Sequence, residues 1–154
     1  VAETEIIYRG GRTEWRPRSG FHYTYRQVET PQEFLGFLAA RFAVTADVDG
    51  AHERYTRESL AKRKASQPVG KPSAGSTFRN PPGDHAARLI ESCGLKGFRI
   101  GGAEVSKLHA NFIVTDETAR AADVEQLIEH IQQVVRKAAA VELHPEIKIA
   151  GAGS

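Results

Sequence analysis

Hydrophobic residues at three-and-four spacing predict one long amphipathic helix, over residues 123–141. Its apolar face would comprise Val124, Leu127, Ile128, Ile131, Val134 and Val135. Residues 121–123 are the expected cap of this helix. A shorter helix is predicted between Asp84, in the N-cap position, and Cys93, with Gly94 as its C-cap.

Two further helices are predicted from weaker patterns. Residues 52–67 are polar and carry both signs of charge, which favours a solvent-exposed helix over a nucleic-acid patch. Pro68 ends this helix. Residues 31–42 begin with a proline and repeat apolar residues at helical spacing, so a short helix is expected there, followed by an alternating strand over residues 42–48.

Alternating apolar and polar residues predict the strands. Residues 5–15 predict a β-hairpin that turns at Gly10-Gly11, and the aromatic residues 21–26 predict a further strand or an irregular edge. The remaining strands are expected at residues 98–105, with a Gly-Gly bulge or close backbone approach, at 110–114, and at 141–149, where Pro145 indicates a sheet edge. A frayed tail is expected over residues 150–154.

The order of these elements predicts the fold class. From residue 52 onward the order is helix, strand, helix, strand, strand, helix, strand. This order favours an α+β fold, with a mixed or antiparallel sheet and helices packed on one side, preceded by a partial β-rich segment. The turn at residues 47–50 is the expected boundary and divides the chain into domains at 1–49 and 50–154.

Composition narrows the functional classes. The 154 residues are 40% hydrophobic and 26% charged, which are globular values, and the net charge of +2 gives no argument for nucleic acid. The one cysteine, Cys93, excludes an internal disulfide framework and is expected to be a buried, inert thiol. No apolar run is long enough for a membrane span or signal peptide, so a soluble cytoplasmic protein is expected.

The segment at residues 72–83 is the main candidate for chemistry. Glycines and prolines bracket a hydroxyl, a cation and an amide there. Gly75 permits backbone angles closed to other residues, so Ser76 can lie where a ligand approaches the main chain. The alternative, on composition alone, is an ordinary Ser/Gly/Pro loop.

Ser76, His109 and Glu146 are the candidate reactive groups, with the cations Arg26, Lys71, Arg79 and Lys107. A serine hydrolase would need a base and an acid beside Ser76, but Ser76 lacks the glycines and the sharp turn of a nucleophile elbow. A metal site would use His109 and His144, but no ligand pair has the usual spacing, so no metal is expected. By default His109 is a structural histidine and Glu146 a solvated carboxylate.

Five segments together resemble the family of UDP-N-acetylenolpyruvoylglucosamine reductase, a flavoenzyme of peptidoglycan synthesis that makes UDP-N-acetylmuramate. These segments are residues 64–68, 72–83, 94–103, 109–114 and 143–147. The resemblance covers roughly residues 52–151 as the family's C-terminal substrate domain. Tyr25-Arg26 resembles the motif that closes the flavin-binding domain, so residues 1–49 resemble the tail of that domain, without the loops that hold FAD.

The resemblance implies that flavin, reduced by NADPH, gives a hydride to UDP-N-acetylglucosamine enolpyruvate. Negative charge then develops on the adjacent carbon and its carboxylate, and it needs a cation and a proton. By resemblance Ser76 is the acid, Arg26 the cation, and Glu146 the third catalytic residue. The expected substrate contacts are Asn80, Arg79, Tyr25, His109 and Lys71.

The chain also departs from the family pattern. His144 and Arg79 stand where glutamate and lysine are usual, Leu108 stands where a cation is common, and residues 115–117 replace an asparagine–glycine turn. The short stretch after Arg26 leaves no room for the tyrosine-bearing insertion of one subtype. Without flavin loops the chain is expected to be inactive alone and to need a flavin-binding segment. The alternative is a non-catalytic module that binds a UDP-sugar or a protein.

Overall fold

The computed structural model describes residues 1–151, which form two compact units that divide between Ala51 and His52. Unit 1 is Val1–Ala51, and unit 2 begins at His52. The predicted tail and the predicted second domain both extend into residues 152–154, which lie outside the described residues.

Unit 1 is built from short antiparallel strands. They are β1 Glu3–Tyr8, β2 Thr13–Pro17, β3 His22–Thr24, β4 Gln27–Glu29 and β5 Phe34–Arg41. A three-stranded sheet has the order β2-β1-β5, and β3 pairs with β4. The hairpin predicted around Gly10-Gly11 is confirmed, since β1 and β2 pair across it with Ile6 opposite Glu14. The core of the unit consists of Ile6, Tyr8 and Phe21.

Two predictions in unit 1 are wrong. The helix expected over residues 31–42 is strand β5, because β1 offers an open edge and pairing with it overrides the helical spacing. The strand expected over residues 42–48 does not form: β5 ends at Arg41, which lies opposite Glu3, the first residue of β1.

The strand predicted over residues 21–26 is also shorter than expected. It ends at Thr24, and Tyr25-Arg26 form a two-residue turn into β4. Arg26 adopts a φ of 62°, in the left-handed region that a non-glycine residue seldom occupies.

Unit 2 combines three helices with a four-stranded sheet. The helices are α1 Ala51–Ser66, which starts at the unit boundary, α2 Ala86–Ser92 and α3 Ala121–Ala139. The strands are β6 Ser73–Ser76, β7 Arg99–Ile100, β8 Ala103–Val105 and β9 Phe112–Thr115. Every pairing is antiparallel, in the order β6-β9-β8-β7, and α3 packs on β7, β8 and α2. The α+β prediction is confirmed.

The core of unit 2 forms where the sequence pattern placed it. Leu127, Ile128, Ile131 and Val135 of α3 are buried against residues of α2 and the sheet. Each such aliphatic side chain contributes about 1.5–3 kcal/mol through burial. Cys93 is half-buried and packs against this core. Helix α1 buries none of its own side chains, which confirms a solvent-exposed helix.

The N-cap of helix α2 is one residue later than predicted, and its C-cap is Cys93 rather than Gly94. Gly94, with a φ of 72°, donates to the Glu91 carbonyl, and Leu95 donates to the Ile90 carbonyl, which is a Schellman motif. Asp84 is not the N-cap. His85 holds that position, because Asp84 instead accepts the His85 N–H and pairs with Arg88.

The strand predicted over residues 98–105 is a tight hairpin of β7 and β8, with Gly101-Gly102 as its two-residue turn rather than a bulge. The predicted close approach is confirmed at Gly102: an added Cβ would lie 2.3 Å from the Ala119 backbone nitrogen. The Asp123 carboxylate accepts both the Gly102 and the Arg120 N–H, so this turn is fastened to the first turn of α3.

Replacing Gly102 with alanine is expected to lower the free energy of unfolding by about 1–3 kcal/mol, because the backbone beside it must move. Urea unfolding of both proteins measures the difference. Gly70→Ala is the matched control, since an added Cβ there meets nothing within 4 Å. Equal stability of the two variants would contradict the packing argument.

Candidate active site

The Ser76 segment lies at the end of strand β6, paired with β9. Ser76 is opposite Phe112, and the register shifts between Ser73 and Ser76. Gly75 has a φ of 86° at this irregularity, and an added Cβ would meet nothing within 4 Å. Glycine is therefore needed for its backbone angle rather than for space. Ser76 is half-buried, and the next residue, Thr77, is fully buried.

Asn111 fastens the segment that follows Ser76. Its backbone carbonyl accepts the Thr77 N–H at 2.8 Å. Its side-chain Oδ1 accepts the Phe78 N–H at 2.9 Å, and its Nδ2 donates to the Phe78 carbonyl at 2.8 Å. The buried Asn111 amide thus pairs with the Phe78 backbone in the way that a neighbouring strand would. Asn111 is not among the site residues predicted from the sequence. The signal was a polar residue inside the apolar run of residues 110–114.

Glu146 belongs to another segment, whose backbone pairs with the residues that follow Ser76. The Glu146 N–H donates to the Thr77 carbonyl at 2.8 Å, and the Arg79 N–H donates to the His144 carbonyl at 2.9 Å. These bonds flank an antiparallel bridge between Phe78 and Pro145. In this register Glu146 lies opposite Thr77, so the backbones of Ser76 and the half-buried Glu146 occupy neighbouring segments.

The strand predicted over residues 141–149 is wrong as a regular strand, since only this bridge forms. Pro145 has no N–H and fits the one pair of the ladder that exchanges no hydrogen bonds. The Leu143 carbonyl is occupied by Gln132 of α3, whose Nε2 donates at 2.7 Å.

His109 serves the turn before β9. Its Nδ1 accepts the Asn111 N–H at 3.3 Å, and its ring lies edge-on to Phe112 with centroids 4.9 Å apart. Burial lowers the pKa of His109, so the imidazole stays neutral and can keep accepting. Ser106 Oγ accepts the N–H groups of Leu108 and His109 and completes the turn. These contacts agree with the structural interpretation of His109.

The remaining candidates differ in setting. Asn80 is exposed, and its Oδ1 accepts the Ala86 N–H at 3.1 Å, so it serves the start of α2. Arg79 and Lys71 are exposed cations on either side of the Ser76 segment. Within unit 1, the Arg26 guanidinium lies 5.8 Å from the Tyr25 ring centroid, and the Tyr25 side chain is largely exposed.

Among residues 1–151, no three His, Cys, Asp or Glu side chains are grouped so that they could hold a metal ion. No helix in this part of the chain is long and apolar enough to cross a membrane.

The Asp84–Arg88 pair beside Asn80 predicts a pH dependence. The Arg88 ion pair and the His85 N–H lower the pKa of Asp84 to about 2. Because the folded pKa lies below the unfolded one, the pair stabilises the fold above about pH 4 and loses its effect as pH falls towards about 2. Asp84→Asn should remove this part of the stability–pH curve, measured by urea unfolding between these limits. Arg88→Gln should reduce it, and an unchanged curve in both would contradict the prediction.

The chain is similar in sequence to proteins of one family of reductases. A family model described as UDP-N-acetylenolpyruvoylglucosamine reductase, C-terminal domain, matches residues 67–150. The reductase of that name from Methylococcus capsulatus is 48% identical, over 98% of this chain and 49% of its own length. The one from Synechococcus sp. is 49% identical, over 89% of this chain and 45% of its own.

A solved structure agrees with these matches. The crystal structure of UDP-N-acetylenolpyruvylglucosamine reductase (MurB) from Thermus caldophilus is 30% identical, with a TM-score of 0.79. The match covers 96% of this chain and 52% of that one. The chain therefore spans about half the length of the curated relatives it matches.

Proposed function

Because the chain belongs to the UDP-N-acetylenolpyruvoylglucosamine reductase family, we propose that it forms the substrate side of an NADPH- and FAD-dependent reductase of peptidoglycan precursor synthesis. Residues 50–154 are then the substrate domain and residues 1–49 the tail of the flavin-binding domain. The observation that carries the proposal is the Glu146–Thr77 backbone bond, which brings a carboxylate-bearing segment beside Ser76 inside the matched range. A cytoplasmic location is part of the proposal, since NADPH is a cytoplasmic reductant.

FAD would supply the hydride when bound, but the residues of this chain do not fit a flavin site. Dinucleotide phosphates are held where a glycine loop leads into a helix N-terminus. The two glycine pairs, Gly10-Gly11 and Gly101-Gly102, are instead turns of β-hairpins. We therefore propose that the loops that hold FAD belong to the half of the family's length that this sequence does not span.

The chain's own residues would supply the proton and the charges. Ser76 would protonate the carbon that carries the developing charge: a hydroxyl is a weak acid, but a carbanion is a strong base. Glu146, across from Thr77, would orient that hydroxyl. Arg26 would hold the substrate carboxylate, as a fixed cation opposite an enolate does.

The substrate's nucleotide end would be bound by exposed groups around the same segment. Asn80 uses its Oδ1 on the Ala86 N–H, which leaves its NH₂ group to donate to the substrate. Arg79 and Lys71 would neutralise the diphosphate. By family resemblance, the half-buried His109 of unit 2 and Tyr25 of unit 1 are further proposed substrate contacts.

The test joins this chain behind the part of the Methylococcus capsulatus reductase that lies outside the aligned half. The fused protein should bind flavin, and it should turn NADPH over repeatedly only when UDP-N-acetylglucosamine enolpyruvate is present. The chain alone should show neither flavin absorbance nor turnover. A fusion that binds flavin but ignores the substrate, or turnover by the chain alone, would contradict the proposal.

A further inference from the structure

The segment that carries Glu146 has little regular structure of its own. Apart from the bridge between Phe78 and Pro145, residues 141–149 form no strand pairing in the described chain. The Glu146 N–H and the Arg79 N–H flank this bridge with one backbone bond each. Where few bonds define the register of a strand, the pairing can slip, and a slip by one residue turns each side chain to the opposite face. The position of the Glu146 carboxylate therefore depends on what else holds this segment.

Gln132 of helix α3 holds the segment at Leu143. The helix ends at Ala139, and Ala140 adopts a φ of 54°, in the left-handed region, so the chain reverses and Leu143 lies beside Gln132. The Gln132 Nε2 donates to the Leu143 carbonyl at 2.7 Å. Leu143 is 0% exposed and belongs to the core of unit 2, so water does not reach this carbonyl and cannot replace the amide donor.

Helix α3 is a rigid support for this bond. Gln132 is half-buried and directly follows Ile131, which is fully buried in the core of unit 2. A side chain on a packed helix is held more precisely than one on a loop. Leu143 precedes Glu146 by three residues, so the bond fixes the irregular segment close to the carboxylate.

We propose that Gln132 is a positioning residue of the reductase: by holding Leu143, it sets the place of the Glu146 carboxylate beside the Ser76 segment. The inference rests on the proposed function for the role of Glu146, whereas the positioning itself is a property of the fold. Gln132 acts through the backbone and touches neither substrate nor reacting atoms. The alternative is that the buried Leu143 side chain holds the segment alone, in which case the Gln132 amide is dispensable.

The first measurement is amide hydrogen exchange of the whole chain by NMR, which needs no flavin or substrate. Gln132→Leu should accelerate exchange of the Glu146 N–H by about 10-fold or more, because loss of the buried bond loosens the pairing beside it. The Val105 N–H, which donates to the Phe98 carbonyl, reports on the rest of the unit and should keep its rate. Gln133→Leu is the matched control, since it makes the same change at the next residue of α3, which is exposed. It should leave both rates unchanged.

The second measurement is stopped-flow kinetics of the fusion described above, at saturating substrate. Gln132→Leu should slow substrate reduction by about 10- to 100-fold, since a misplacement of about 1 Å costs up to about 100-fold, and should not change flavin reduction by NADPH. Gln132→Lys should restore most of the rate, because its ammonium group can donate to the same carbonyl and lies beside Glu129 and Glu142. Gln133→Leu should change neither half-reaction.

Four results would overturn the proposal. The first is an unchanged exchange rate of the Glu146 N–H in Gln132→Leu, and the second is equal acceleration of the Glu146 and Val105 amides, which would mean that the bond stabilises the whole unit. The third is faster exchange without slower substrate reduction in an active fusion. The fourth is a Gln132→Lys variant as slow as Gln132→Leu. Faster exchange at Glu146, together with an unsubstituted fusion that does not reduce the substrate, would contradict the proposed function and leave the positioning role of Gln132 supported.

Discussion

Replacing Asn111 with leucine is expected to lower the free energy of unfolding by about 2–4 kcal/mol. The substitution removes the bonds to the Phe78 N–H and carbonyl and leaves both groups unpaired. Phe78 is 1% exposed, so water does not replace the lost partners. Each buried unpaired group costs about 1–3 kcal/mol, and leucine retains the volume of the side chain.

Urea unfolding measures this difference, with Asn80→Leu as the matched control. Both substitutions exchange an amide for the same apolar group, but Asn80 is exposed and accepts one hydrogen bond, from Ala86. A lost helix cap of this kind costs about 0.5–2 kcal/mol. The prediction fails if Asn111→Leu is no more destabilising than Asn80→Leu.

The same substitution links stability to the site. Phe78 lies between Thr77, which accepts the Glu146 N–H, and Arg79, which donates to His144. The Asn111 amide therefore holds Phe78, the residue at which the Ser76 and Glu146 segments pair. Loss of this support would displace both segments without removing either reactive group.

Local sequence signals predicted the helices of unit 2 well. The apolar face of α3 and the Schellman motif at Gly94 depend on residues within five positions of one another. Strand β5 could not be predicted in this way. Its partner β1 lies about thirty residues earlier, and only the open edge of β1 turns the helical spacing into a strand.

The residues of the candidate site also differ in how far the sequence alone could predict them. The bracket of glycines and prolines marks Ser76 from sequence alone, and Gly75 has the predicted special backbone angle. Asn111 stands out as a polar residue in an apolar run, but its partner lies 33 residues away, so the sequence does not indicate which backbone it pairs with. Glu146 was a candidate from the sequence, but its catalytic role came from the family resemblance, and the backbone bond to Thr77 supplies the physical link that its own sequence context lacked.

Ser76→Ala, in the fusion with the flavin-binding half, is expected to slow substrate reduction by about 10²–10⁴-fold, the usual contribution of a positioned acid. The rate at which NADPH reduces the flavin should not change, because that step needs no proton from Ser76. Stopped-flow measurement of flavin absorbance follows the two half-reactions separately.

Ser73→Ala is the control for Ser76→Ala, since Ser73 begins the same strand and is exposed. Ser73→Ala should leave both half-reactions unchanged. An effect seen only with Ser76→Ala is then specific to the Ser76 hydroxyl and is not a general effect of removing a serine hydroxyl from β6. Glu146→Gln should also slow substrate reduction alone, because an amide cannot accept the serine proton's hydrogen bond as strongly as a carboxylate. Equal slowing of both half-reactions by Ser76→Ala would mean that the substitution disturbs assembly with the flavin half, and Ser76 would no longer stand as the acid.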